Sequence, residues 1–177
     1  MTDPSPTSIQ ALEAANIGLA ALVGTGLARL GLQVATAESC TGGAIARALT
    51  ETAGSSAWFD CGFVTYSNAA KERMLGVRAE TLHAQGAVSE STAAEMAEGA
   101  LRNSGADVAI SVTGIAGPWG AVPGKPVGTV CFGWAWRDGR RRVETVRFDG
   151  DRVRVRLETV RHALSRIALD LGLKLPI

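Results

Sequence analysis

Hydrophobic residues near both ends of the chain recur every three or four positions, which is the period of a helix with one buried face. The first such stretch, with a polar interruption at Asn16, contains Ile9, Leu12, Leu19, Val23, Leu27 and Leu30. Thr7 or Ser8 can cap its start, and Gly31 can end it. The last stretch places on one face Val153, Leu157, Val160, Leu164, Ile167 and Leu171. The pattern therefore predicts a long first helix and a long last helix.

Between these helices, short β-like runs alternate with helical segments. Strands are predicted over 33–37, 58–65, 107–112, 127–136 and 141–148, the last two forming a hairpin across Asp138-Gly139. The run over 107–112 is nearly all apolar, which is typical of a strand buried on both faces. Further helices are predicted over 41–51, over 68–75 up to Gly76, and from Ser89 or Ser91 to Gly105.

This order of elements predicts an α/β fold, namely a three-layer α/β/α sandwich around a mixed, mostly parallel sheet. The composition is that of a globular protein, since 46% of the residues are hydrophobic and 20% are charged. No Pro/Gly/Ser-rich linker divides the 177 residues. We therefore expect one domain over residues 9–177, preceded by a disordered lead-in over residues 1–8.

The charge balance and the cysteine content limit the possible partners and the cellular compartment of the protein. A net charge of +1 lacks the electrostatic footprint of a nucleic-acid-binding protein, so we expect no nucleic-acid partner. Eight arginines lie between positions 137 and 156; they fit a solvated hairpin and helix start, although one of them could face an anionic substrate. Three cysteines without a CxxC pair suit a reducing cytoplasm. We expect neither a membrane span nor a signal peptide, because there is no uninterrupted 18-residue apolar run and no basic N-terminal region.

Three segments that leave predicted strands are rich in small polar residues: 38–43, 66–71 and 113–125. In open α/β sheets, ligands bind outside the carboxyl ends of the strands, so these segments can form one site. Ser39 lies in a strand-to-helix turn, where its oxygen could attack a carbonyl while helix N–H groups stabilise the oxyanion. An ordinary N-cap serine occupies the same kind of position. Cys40 is a rival nucleophile, because a helix N-terminus also lowers the pKa of a thiol.

A serine nucleophile needs a base, and histidine is a poor candidate in this chain. His83 and His162 are the only histidines and lie in ordinary contexts, so we expect neither a Ser-His-Asp triad nor a zinc site. Lysine is the known substitute when burial lowers its pKa from about 10.4. Lys71 is the candidate, with Tyr66 five residues earlier to relay the proton or hold the amine. Taken alone, Lys71 equally fits a surface lysine.

The loop that begins at Thr113 contains glycines that let backbone N–H groups approach an anion. The Walker pattern is absent, so the loop alone is weak evidence for phosphate binding. Lys125 and Arg152 could add positive charge for a phosphate.

Together, six segments in this order resemble the CinA C-terminal domain family in its stand-alone form, over roughly residues 9–171. The segments are Thr36-Ala37-Glu38-Ser39-Cys40-Thr41-Gly42-Gly43, Thr65-Tyr66-Ser67-Asn68-Ala69-Ala70-Lys71, Gly86-Ala87-Val88-Ser89-Glu90, Thr113-Gly114-Ile115-Ala116-Gly117-Pro118, Lys125-Pro126-Val127-Gly128-Thr129-Val130 and Gly150-Asp151-Arg152. The resemblance implies hydrolysis of the carboxamide of nicotinamide mononucleotide to nicotinate mononucleotide and ammonia. It implies no metal and no organic cofactor, and assembly into a homodimer or larger homo-oligomer.

The resemblance also implies a catalytic set of Ser39, Lys71 and Tyr66. Our own hypothesis adds that amides at the start of the predicted helix, over residues 40–43, hold the oxyanion. For substrate binding we expect a second set of residues, with Arg152 facing the phosphate: Cys40, Thr41, Gly42, Gly43, Asn68, Thr113, Gly114, Gly117 and Arg152. The sequence departs from the family pattern after Pro118, where Trp119 stands in place of glycine and can narrow the pocket or offer a stacking surface.

Two other functions compete with this hypothesis. A non-catalytic nucleotide-binding or regulatory module would keep the pocket without turnover, but it has no need for Ser39, Tyr66 and Lys71 together. An amidase for another small amide would keep all three residues and change only the substrate.

Overall fold

The computed structural model describes residues 8–175. Its core is a five-stranded sheet made of β1 (Val34–Glu38), β2 (Phe59–Val64), β3 (Val108–Gly114), β4 (Thr129–Trp136) and β5 (Arg141–Arg147). The strands lie in the order β2-β1-β3-β4-β5. β1 pairs in parallel with both β2 and β3, whereas β3–β4 and β4–β5 are antiparallel. The sheet is therefore mixed, with β4 as the one described strand that runs against the others.

Helices cover both faces of this sheet, which confirms the predicted α/β fold. One face carries α1 (Ile9–Leu30), α2 (Ala44–Thr50) and α6 (Arg152–Asp170), and the other carries α3 (Asn68–Leu75), α4 (Ala79–Gln85) and α5 (Glu90–Arg102). On β3, Val108, Ile110 and Val112 belong to the core beneath α1 and α6, while Ala109 belongs to the core beneath α5. The buried sheet residues in the core beneath α5 are alanines, and a Cβ on Gly133 of β4 would lie 2.5 Å from the carbonyl oxygen of Ala93, so α5 lies close to the sheet.

The predicted helix over 41–51 begins only at Ala44, so its first three residues were assigned wrongly. Gly42 and Gly43 have φ angles of 62° and 95°, in the left-handed region that a helix does not use. Residues 41–43 instead form a turn between β1 and α2.

Other boundaries follow the sequence closely, with local corrections. α3 spans the predicted residues up to Gly76, and Ser89 caps α5 by accepting a hydrogen bond from the amide of Thr92. α4 had not been predicted, and in α6 Val153 is exposed because the buried face follows Val155, Thr159 and Ala163 instead. The predicted lead-in falls outside the described residues except for Ser8, which caps α1.

By length and composition α1 could cross a membrane, although it has no uninterrupted 18-residue apolar run. Core helices of soluble proteins can be equally long and apolar, and 44% of the most apolar 18-residue stretch of α1 is buried. Leu12, Leu19, Val23 and Leu27 are buried in the protein, with α1 packed on α6. Its place in the core accounts for the apolar character of α1.

The close packing of α5 on α3 predicts opposite effects for two glycine substitutions. A Cβ on Gly99 would collide with the carbonyl group of Leu75, so Gly99→Ala should lower the free energy of unfolding by about 1–3 kcal/mol. A Cβ on Gly18, in α1, meets nothing, so Gly18→Ala should raise the free energy of unfolding by up to about 1 kcal/mol. Urea unfolding of both variants checks this, and equal stabilities would contradict the packing described here.

Candidate active site

A cleft of about 200 Å³ opens beside the carboxyl ends of β1 and β3. It brings together residues from all three polar segments that were singled out in the sequence. The residues that line it are Ser39, Cys40, Tyr66, Lys71, Ala87, Val88, Thr113, Gly114, Ala116 and Arg152.

Ser39 is held in place by the sheet and by the turn that follows it. Its amide donates a hydrogen bond of 3.0 Å to the carbonyl oxygen of Val112 on β3, which extends the β1–β3 pairing by one residue. Its own carbonyl oxygen accepts from the amide of Gly42 at 3.1 Å, closing the turn. Only 8% of Ser39 is exposed, so its hydroxyl has a defined environment at the cleft.

The carboxylate of Glu38, the last residue of β1, is fully buried and binds the turn and the start of α2. One oxygen accepts from the Thr41 hydroxyl at 2.7 Å and from the amides of Gly43 and Ile45 at 3.0 Å each. The other accepts from the amide of Ala46 at 2.8 Å. Three amide donors at the start of α2 are thereby satisfied by one side chain.

The amides of residues 40–43 are the ones expected to hold the oxyanion, and some of the amides in this region are already bonded. The amides of Gly43, Ile45 and Ala46 already donate to Glu38. Within residues 8–175, the amides of Cys40 and Thr41 donate to no oxygen. They are therefore the N–H groups next to Ser39 that can donate hydrogen bonds to a developing negative charge.

Lys71 lies against Ser39, on the first turn of α3. Its Nζ is 3.0 Å from Oγ of Ser39, 2.8 Å from the carbonyl oxygen of Thr65 and 3.4 Å from that of Tyr66. Only 1% of Lys71 is exposed. Burial lowers the pKa of the Lys71 amine because it disfavours the charged form, and this effect outweighs the opposing influence of Cys40.

The three neighbours of this amine differ in what they can do. The carbonyl oxygens of Thr65 and Tyr66 only accept hydrogen bonds, whereas the hydroxyl of Ser39 can also donate one. A neutral amine with two N–H bonds can therefore satisfy both carbonyls and present its lone pair to the hydroxyl of Ser39. The surroundings suit Lys71 as a proton acceptor for Ser39.

Cys40 lines the cleft, but its thiol is not activated. Burial raises the pKa of Cys40 to about 12, and the nearby charge of Glu38 acts in the same direction. The expectation of a lowered thiol pKa at this position is therefore wrong. Near neutral pH the thiol stays protonated and is a weak nucleophile.

Tyr66 contacts Lys71 through its backbone and Arg152 through its side chain. Nη2 of Arg152 donates to the phenol oxygen at 3.2 Å, while Nη1 donates to the carbonyl oxygen of Gly117 at 3.0 Å. The phenol ring is exposed and lines the cleft. These bonds fix the guanidinium at the cleft, between the Tyr66 segment and the Gly-rich loop.

The Gly-rich loop is attached to the opposite wall of the cleft. The hydroxyl of Thr113 donates to the carbonyl oxygen of Ala87 at 2.7 Å. Gly114 packs so closely on β4 that a Cβ would lie 2.8 Å from the carbonyl oxygen of Thr129. Besides their place at the cleft, Thr113 is therefore held by a hydrogen bond, and close packing requires glycine at position 114.

The structure divides the predicted binding residues into two groups. Cys40, Thr113, Gly114 and Arg152 line the cleft, whereas five others do not: Thr41, Gly42, Gly43, Asn68 and Gly117. Four of these five build the Ser39 turn or hold Arg152, and Asn68 is an exposed residue at the start of α3. Lys125 also lies away from the lining and donates to the carbonyl oxygen of Gln85.

Sequence reasoning missed several residues of the site. Glu38 stood in the quoted motif, and a carboxylate just before a glycine turn was a usable signal. Val88 and Ala116 also stood in quoted segments, but their apolar side chains did not single them out. Arg156, whose Nη2 donates to the carbonyl oxygen of Thr41 at 2.7 Å, was one of eight clustered arginines and was not distinguished from the others. Across residues 8–175, no three His, Cys, Asp or Glu side chains cluster as metal ligands would.

Known proteins resemble this chain both in sequence and in fold. The sequence profile described as CinA C-terminal domain matches residues 16–171. The chain is 59% identical over 136 residues to the nicotinamide-nucleotide amidohydrolase PncC of Enterobacter agglomerans, covering 77% of this chain and 83% of that protein. It is 52% identical over 145 residues to the PncC of Escherichia coli K12, covering 82% and 88%. The crystal structure of the competence/damage inducible protein CihA from Agrobacterium tumefaciens superposes with a TM-score of 0.86 at 52% identity, covering 89% of this chain and 96% of that one. The chain belongs to the CinA C-terminal domain family.

Proposed function

We propose that this chain is a nicotinamide-nucleotide amidohydrolase, which converts nicotinamide mononucleotide and water to nicotinate mononucleotide and ammonia. The observation that carries the proposal is the hydrogen bond of 3.0 Å between Nζ of buried Lys71 and Oγ of Ser39 at the cleft. Relatives at 52–59% identity are named for this activity on a nicotinamide nucleotide.

The first step is attack by Ser39 on the carboxamide carbon. Neutral Lys71 accepts the hydroxyl proton of Ser39 as the bond between Oγ and the carbonyl carbon forms. Because only the neutral amine can accept this proton, turnover should rise with pH through the pKa of Lys71. Its backbone partners Thr65 and Tyr66 keep the amine oriented throughout.

The tetrahedral intermediate places a negative charge on the former carbonyl oxygen. The amides of Cys40 and Thr41 are the donors we assign to this oxyanion, and one such donor is typically worth about 10²- to 10³-fold in rate. Protonated Lys71 then returns its proton to the amide nitrogen, the C–N bond breaks and ammonia leaves. Water, activated by the same amine, hydrolyses the ester on Ser39 and releases the carboxylate product.

Arg152 supplies the positive charge that a nucleotide substrate needs. Its guanidinium lines the cleft and is fixed by Tyr66 and Gly117, so it is already oriented before a phosphate binds. Trp119, which is 86% exposed on the same loop as Gly117, offers a ring for stacking at the rim.

The two competing functions predict different results in one assay, which is ammonia release from nicotinamide mononucleotide with nicotinamide riboside and nicotinamide as controls. Binding without ammonia release would favour a regulatory module. Release from the unphosphorylated compounds only would favour an amidase for another small amide.

We also propose that the chain works in the cytoplasm and as a homodimer or larger homo-oligomer. Its three cysteines are free thiols, which suits a reducing compartment. The family resemblance supports the assembly, and sedimentation velocity measures it directly.

Ser39→Ala and Cys40→Ala should separate the two candidate nucleophiles. Ser39→Ala should lower ammonia release from nicotinamide mononucleotide by at least about 10³-fold with the fold intact, because the covalent route is lost. Cys40→Ala should retain most of the rate, since the thiol is protonated and buried. The reverse ranking, with circular dichroism unchanged in both variants, would reject Ser39 as the nucleophile.

Arg152→Met should raise the KM for nicotinamide mononucleotide by roughly 10- to 100-fold with a smaller effect on kcat, because a charge-assisted contact to phosphate is lost. Turnover of nicotinamide riboside should not change. Arg154→Met, on the same helix but paired with Glu158, is the matched control.

Tyr66→Phe tests the phenol in the same assay. It should raise KM in the same direction as Arg152→Met, because the phenol orients the guanidinium. If Tyr66→Phe lowered kcat and left KM unchanged, the hydroxyl would be part of the proton transfer instead.

A further inference from the structure

Glu38 is a fully buried acid whose contacts all lie on the side of the turn and α2. None of the ion pairs within residues 8–175 includes it, so hydrogen-bond donors alone hold its charge. We propose that Glu38 is the positioning residue of the reaction: it fixes the Ser39 turn so that the Ser39 hydroxyl faces Lys71 and two amides face the oxyanion. This inference rests on the proposed function and assigns to Glu38 no contact with substrate.

The donors around Glu38 require a carboxylate. Its two oxygens accept from four donors, namely the Thr41 hydroxyl and the amides of Gly43, Ile45 and Ala46. A glutamine of the same shape has one acceptor oxygen and one NH₂ group. Either orientation of that amide would therefore place N–H against N–H on at least one side. A neutral isostere can fill the space of Glu38 but cannot satisfy its surroundings.

The position of Glu38 links its bonds to the geometry of Ser39. Glu38 immediately precedes Ser39, and its carboxylate reaches forward to residues 41–46, so it closes the turn around the nucleophile. Arg156 restrains the same turn from outside through the carbonyl oxygen of Thr41. Because a displacement of about 1 Å can cost about 10² in rate, a looser turn should affect the chemical step.

Glu38 also determines which amides remain available. By accepting from the amides of Gly43, Ile45 and Ala46, it leaves those of Cys40 and Thr41 as the pair next to Ser39 without an oxygen acceptor among residues 8–175. Loss of the carboxylate would free three competing donors and let the turn reorganise around them. The predicted defect is therefore in kcat, since Arg152 and the Thr113 loop bind substrate from other elements.

The test compares Glu38→Gln with Asp107→Asn in the ammonia-release assay. Asp107 accepts a hydrogen bond from the amide of Gln33, at the ends of β1 and β3 opposite to Ser39. Asp107→Asn therefore also replaces a carboxylate that binds a backbone amide by a neutral amide, but does so far from Ser39. Glu38→Gln should lower kcat by about 10²-fold with KM changed by less than about threefold. Asp107→Asn should keep the wild-type kcat. Equal kcat in both variants and wild type, corrected for the folded fraction, would overturn the proposal.

Thr41→Val provides a second variant should Glu38→Gln fail to fold. It removes one donor to Glu38 and keeps the carboxylate and the amide bonds. Its kcat should fall by roughly tenfold at unchanged KM, an intermediate effect, since one of four bonds is lost. A wild-type kcat for Thr41→Val would contradict the proposal.

Labelling of Ser39 by a fluorophosphonate separates this inference from the proposed function. If the wild type releases no ammonia from nicotinamide mononucleotide, the proposed substrate is wrong, but the role of Glu38 still predicts slower labelling in Glu38→Gln than in Asp107→Asn. Equal labelling rates, or no labelling of the wild type, would overturn the role of Glu38.

Discussion

The contact between the buried amine of Lys71 and the hydroxyl of Ser39 is the interaction on which the site depends. Burying an ammonium group is costly, so the pKa of the Lys71 amine is lowered, which is the direction that a base requires. The rest of the fold makes this burial possible. Ser67 caps α3 and places Lys71 on its first turn, while Gly99 lets α5 pack on the last residue of the same helix.

On the Ser39 side of this contact, the amides available to bind an anion belong to a turn, although such amides are often assigned to a helix end. The amides at the start of α2 are occupied by Glu38, so the helix itself is not the anion site. In the proposed mechanism the turn before α2 binds the oxyanion instead. In that mechanism this turn supplies the nucleophile and two amides for the oxyanion, Lys71 on α3 supplies the base, and Arg152 on α6 binds the phosphate of the substrate.

Much of the fold could be predicted from the sequence because its signals were local. The periodicity of α1 and α6, the apolar run of β3 and the capped helix α3 each reflect the chain's own pattern. The start of α2 was misplaced because the φ angles of Gly42 and Gly43 depend on how Glu38 folds back over the turn. α4 was missed because no side chain caps it, and Val153 was assigned to the wrong face of α6 because the neighbouring helices determine which face is buried.

The candidate site was predictable in its residue types but not in its geometry. Motifs indicated Ser39, Lys71 and Arg152, whereas the partner of the Tyr66 phenol follows from long-range packing. An NMR titration of the lysine side chains measures the pKa of Lys71 itself, since the chain has only three lysines to assign: Lys71, Lys125 and Lys174. We expect the pKa of the Lys71 amine to lie below its ordinary value of 10.5, because burial disfavours the charged form. A Lys71 amine that remains protonated up to pH 10.5 would contradict the role of Lys71 as the base.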